Sequence, residues 1–125
     1  MHTNQLRIVE AASSFAIIFV SGYWLSRVGK PYNVIVLTIH KLVSLAAVVF
    51  LIVAMIQAAQ ALALAATDLV AGVVAGLFFL ALMATGGLLS GEKEMPAVVR
   101  RLHQIAPYLT VLSVAVTLYL LQSPG

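Results

Sequence analysis

The side chains able to do chemistry in this 125-residue chain are few: three histidines, four acids, seven lysines and arginines, and no cysteine. Without a thiol, disulfides, thiolate nucleophiles, iron–sulfur clusters and covalent c-type haem attachment are all excluded. His2 lies in the N-terminal tail, whereas His40 and His103 each fall inside a long apolar stretch. An imidazole in apolar surroundings is either a hydrogen-bonded structural group or a metal ligand. A lone one is more often structural. Two in equivalent settings point to a pair of ligands on one metal, so the elements that carry them decide the matter.

Those elements belong in a membrane. Hydrophobic residues make up 62% of the chain and charged residues 9%, with a mean hydropathy of +1.08. A soluble domain carries about 25% charged residues to wet its surface. A soluble enzyme and a disordered chain are thereby ruled out, and an integral membrane protein remains. The formal net charge of +3 does not point to nucleic acid, because the few cations flank apolar runs.

Four runs of about 20 apolar residues predict membrane-crossing helices near residues 8–27, 34–57, 67–90 and 97–122. Gly29-Lys30-Pro31 closes the first, and Thr67-Asp68 offers an N-cap pair for the third. Met95-Pro96 opens the fourth, where proline is welcome in the first turn. Residues 61–66 either extend the second helix or lie in the interface. The tail before the first span shows no small-residue cleavage site, which argues against a removed signal peptide. The expected fold is all-α: a single antiparallel four-helix transmembrane bundle over residues 1–125.

Arg27, Lys30 and Lys41 cluster around the first connection and Lys93, Arg100 and Arg101 around the third, with Arg7 alone on the other side. The positive-inside rule then puts both basic connections in the cytoplasm and both termini outside, in a bacterial or archaeal inner membrane. Tyr23, Trp24 and Tyr32 form the inner aromatic belt, and Tyr119 belongs to the outer one.

The chain also reads as one helical hairpin written twice. Phe15, Gly22, Leu25 and Ser26 recur as Phe79, Gly86, Leu89 and Ser90; Val36, His40, Val48 and Val53 recur as Val99, His103, Val111 and Val116. Each histidine sits about six residues, or roughly 9 Å, into its helix. Both helices run from the cytoplasmic side outward, so the histidines share one level. In an up-down-up-down bundle the second and fourth helices hold diagonal corners, and two imidazoles there can face each other across the core. Counting back from the inner ends of the other two helices brings Gly22 and Gly86 into the same layer.

A haem fits such a layer, with His40 and His103 as axial ligands and the glycines clearing room for the porphyrin edge. Taken singly, each glycine reads as ordinary close helix packing. Ser44 and Ala47, with Ala106 and Thr110, supply small or mildly polar neighbours on the histidine faces. Arg100, one turn from His103, is either a propionate partner or a topology signal; Asn33 and Tyr32 are weaker propionate candidates, and Arg101 and Lys41 read as orientation signals. Pro107 loosens the helix one turn beyond His103. Met55 and Met83 read as packing.

With these residues in place the chain resembles cytochrome-b-type transmembrane haem proteins, the four-helix core of membrane ferric reductases and quinol-linked cytochromes. The resemblance is carried by His40, His103, Gly22 and Gly86 across all four spans. It implies a non-covalent haem b acting in electron transfer near the cytoplasmic face, linked to quinone or to a redox-partner protein, rather than a stand-alone enzyme. Those families hold two haems on two histidine pairs. Here His2 is the only other histidine, so one haem is expected.

Two other classes compete. Glu10, near the outer end of the first helix, fits a small proton-coupled cation exporter, although Arg7 lies three residues away to pair with it. Asp68 reads better as a helix cap. A non-catalytic membrane anchor or structural subunit is the third. The bilayer is the expected partner in every case, an oligomer being left open.

Overall fold

The computed structural model describes residues 2–61 and 65–122 and is all-helical. Its four helices are α1 (His2–Val28), α2 (Val34–Gln60), α3 (Ala66–Leu89) and α4 (Ala97–Gln122). Each contains a stretch of at least 24 residues long and apolar enough to cross a bilayer. The predicted boundaries agree to within a few residues except at the start of α1, which begins six residues early. Residues 2–7, polar apart from Leu6, carry little apolar signal, yet they continue the helix.

Local chemistry explains the ends. Gly29, at φ 74°, takes the left-handed conformation that stops α1 and donates its N–H to the Leu25 carbonyl at 3.0 Å. Asn33 caps α2, its Oδ1 accepting from the N–H groups of Ile35 at 2.9 Å and Val36 at 3.2 Å. α4 starts directly after Pro96, whose carbonyl accepts from the Val99 N–H at 3.1 Å. Asp68 corrects the expectation for α3. It is not the cap but the third helical residue, and its carboxylate reaches back to accept the Ala65 N–H at 2.9 Å. The orphan donor at the helix start is satisfied just as well from this position. Ala61 is a turn after α2, and residues 62–64 lie outside the described residues.

The chain folds as two compact units, Met1–Val53 and Ala54–Gly125. The first holds α1 and most of α2, which meet where Ser21 and Gly22 lie against His40. The second holds the end of α2 with α3 and α4. There α3 packs along α4, and Gly72 of α3 receives the end of the Met55 side chain. Met55 is thus a packing residue, as expected.

Most of the buried residues are small. Along α2 the buried positions are Ala47, Leu51, Ala54 and Ala58; along α3 they are Asp68, Gly72, Ala75 and Phe79; along α4 they include Thr110, Val114 and Thr117. The spacing alternates between four and three residues, a seam close to the 3.5-residue period of left-handed helix packing. Large apolar residues such as Val20, Leu42, Leu77 and Leu112 are exposed. This distribution inverts that of a soluble protein. It is the pattern of helices suited to lipid, which solvates apolar side chains and leaves small residues to let backbones approach.

Candidate haem-ligand site

His40 and His103 are each the seventh residue of their helices. Stepping back by fours and threes along each buried seam reaches them: Ala47 leads to His40 through Ser44, and Thr110 leads to His103 through Pro107. Both histidines are therefore on the packed face of their helix, at the half-buried end of the stripe.

Each imidazole rests in a notch made by glycine. A Cβ built on Gly22 would lie 3.1 Å from His40 Cε1, and one on Gly86 would lie 3.0 Å from His103 Cε1. Both distances are tighter than ordinary van der Waals contact, so a Cβ at either place would push the ring back by a few tenths of an ångström, and glycine lets it sit closer. The glycines thus touch the imidazoles themselves, a contact that spacing alone had not suggested. Gly22 lies six residues before the end of α1 and Gly86 three before the end of α3. The same contact is reached because the third connection, residues 90–96, is longer than the first, residues 29–33.

Next to each glycine is a hydroxyl that was not among the expected site residues. Ser21 Oγ is 2.9 Å from His40 Nδ1, and Thr85 Oγ1 is 2.8 Å from His103 Nδ1. Ser21 is buried, although it lies beside an open apolar groove of about 450 Å³ walled by Ile17, Val20, Trp24, Val36 and Ile39. The same hydroxyls reach their own helix. Ser21 Oγ is 2.7 Å from the Ile17 carbonyl, and Thr85 Oγ1 is 2.8 Å from the Ala81 carbonyl. A hydroxyl has one hydrogen and two lone pairs. Each hydroxyl thus joins its own helix to Nδ1 of the facing imidazole, and that bond fixes the ring. In the tautomer whose Nδ1–H donates to the hydroxyl, the lone pair sits on Nε2, the form in which histidine binds a metal.

The remaining expected residues fall as follows. Ser44 Oγ donates to the His40 carbonyl at 2.6 Å, and Thr110 Oγ1 donates to the Ala106 carbonyl at 2.8 Å. Ala47 and Thr110, one heptad beyond each histidine, are buried, and Thr110 is completely so. Pro107 has no N–H to give the His103 carbonyl, where Ser44 adds a bond to that of His40. Arg100 is exposed in the first turn of α4. Arg27 and Lys30 lie over the rings of Tyr23 and Tyr32, each at 6.0 Å, which gathers cations and aromatics around the first connection.

No cluster of three or more acids, histidines or cysteines occurs among the described residues, so the site chemistry rests on imidazoles and hydroxyls. No known protein family, curated protein or solved structure matches the chain.

Proposed function

We propose that this is an integral membrane b-type cytochrome that holds one haem b non-covalently, with His40 and His103 as its axial ligands. The observation that carries the reading is the doubled arrangement: hydroxyl, glycine and histidine meet in the same way in each of two helix pairs. A structural histidine needs no twin. Two equivalent imidazoles are the donor set of a six-coordinate haem. The donor set fits the group, and the absence of cysteine requires non-covalent binding.

Haem bound there supplies a one-electron couple. The chain's own residues hold and orient the imidazoles: Gly22 and Gly86 seat the rings, and the hydroxyls of Ser21 and Thr85 bond to Nδ1 of each. Arg100 and the basic connections supply positive charge for two propionates at the cytoplasmic face. Both termini lie outside in this reading, because six cations flank the two inner connections and only Arg7 lies opposite. The electron partner is quinone in the inner leaflet or a protein at the cytoplasmic face. An absorption spectrum of the purified protein in detergent tests the reading. A red preparation with a sharp α-band on reduction is expected; a colourless protein from haem-replete cells overturns it.

A further inference from the structure

We infer that the groove between α1 and α2 is a site for an anionic phospholipid, with an acyl chain along its wall and the phosphate at Arg27 and Lys30. The inference rests on the membrane-spanning reading and is independent of the haem.

The groove, of about 450 Å³, lies wholly within the first compact unit. Ala16, Val20 and Trp24 wall it from α1, and Val36 and Ile39 wall it from α2. From Ala16 to Trp24 the α1 wall runs for about 12 Å. Among the described residues Ser21 brings the only hydroxyl to that wall. Its Oγ is already engaged, with the Ile17 carbonyl at 2.7 Å and His40 Nδ1 at 2.9 Å. The groove therefore suits an occupant that is apolar along its length.

Charge gathers at one end. Arg27 follows Trp24 by three residues, on the same side of α1, and is exposed; Lys30 follows in the first connection and is exposed too. Their place beside Tyr23 and Tyr32 is the headgroup level, where aromatic side chains settle in a bilayer. The sequence supplies no acid near them in this unit. Between Met1 and Val53 the only acid is Glu10, roughly 25 Å from Arg27 along α1. The third connection differs, because Glu92 and Glu94 flank its Lys93. Excess positive charge at the end of an apolar groove complements a lipid phosphate, which a guanidinium holds through two parallel hydrogen bonds. A zwitterionic lipid offers the same chains, but its own cation offsets the phosphate.

Trp24 is the only tryptophan in the chain, so its fluorescence reports on the groove. The test reconstitutes the full chain in phosphatidylcholine bilayers that contain lipid brominated on its acyl chains, either phosphatidylglycerol or phosphatidylcholine. Quenching is read against unbrominated bilayers of the same headgroup composition. Brominated phosphatidylglycerol should quench Trp24 at a lower mole fraction than brominated phosphatidylcholine. Arg27→Gln and Lys30→Gln should each reduce that preference, by roughly fivefold per cation. Ala16→Phe narrows the groove with both cations retained and should weaken the preference as well, whereas Leu77→Phe on the exposed side of α3 should not. Equal quenching by the two brominated lipids in wild type overturns the inference and leaves the haem reading standing. A preference unchanged in Ala16→Phe also overturns it, since that is the general attraction of anionic lipid to a basic surface. No quenching by either lipid overturns the membrane reading itself.

Discussion

The contacts that matter most here are made by atoms that are absent. Gly22 and Gly86 leave space that His40 and His103 fill, and a Cβ at either place would stand within 3.1 Å of a ring carbon. Gly22→Leu and Gly86→Leu should therefore destabilise their helix pair by about 1–3 kcal/mol through overpacking and lower haem occupancy in parallel. Thermal unfolding and the haem-to-protein ratio, read on the same samples, check this. Gly87→Ala is the matched control: nothing lies within 4 Å of its Cβ position, so occupancy should stay at the wild-type level. Normal haem content in both leucine variants would reduce the glycines to ordinary packing residues. The histidines and their glycines were legible in the sequence through type, depth and repetition. Ser21 and Thr85 were not, because a hydroxyl in an apolar helix reads as satisfied by the carbonyl four residues back. That bond is indeed present in both cases, and only the histidine beside it gives the hydroxyl a second role. The signal was available nonetheless: each hydroxyl immediately precedes its glycine in both copies of the repeat.

At the scale of the element, caps and breakers fixed the helix ends well. Asn33, Pro96 and Gly29 stand where their chemistry requires, because each acts on backbone groups within a few residues of itself. The start of α1 was missed because its first turns are polar, and hydropathy cannot see a helix that continues beyond the apolar run. Asp68 was placed at the cap although it acts from the third helical position. Its replacement tests what the carboxylate is for. Asp68→Ala removes the acceptor for the Ala65 N–H and should cost about 0.5–2 kcal/mol of stability, with no change in the absorption spectrum of the haem that remains. A proton-coupled exporter makes a different prediction, in which Glu10→Gln abolishes accumulation-driven efflux of a lipophilic cation from proteoliposomes. On the cytochrome reading no such efflux exists to be lost.

Considered as a whole molecule, the chain places His40 and His103 near the starts of α2 and α4. At 1.5 Å per residue they lie roughly 9 Å from the start of α2 and α4, against a hydrocarbon core about 30 Å thick. Beyond these residues α2 and α4 hold neither histidine nor cysteine to carry an electron further. Exchange should therefore be one-sided. In oriented proteoliposomes, an impermeant reductant should reduce the haem much faster from the side bearing Lys30 and Lys93, with orientation checked by protease cleavage of the connections. Equal rates from both sides would contradict the depth or the topology. The four long helices were legible because each is an uninterrupted apolar run of a length that could cross a bilayer. The residues that hold the rings were harder to read, because in a membrane the packed face is distinguished by small size rather than by hydrophobicity.

The central claim is that His40 and His103 together ligate one haem, and its most direct measurement is haem stoichiometry with spin state in wild type and in the two single alanine variants. Wild type should bind one haem per chain with a six-coordinate low-spin spectrum, since two imidazoles are strong-field ligands. His40→Ala and His103→Ala should each lose the haem or leave it five-coordinate and high-spin. An unchanged six-coordinate spectrum in both variants would contradict the assignment.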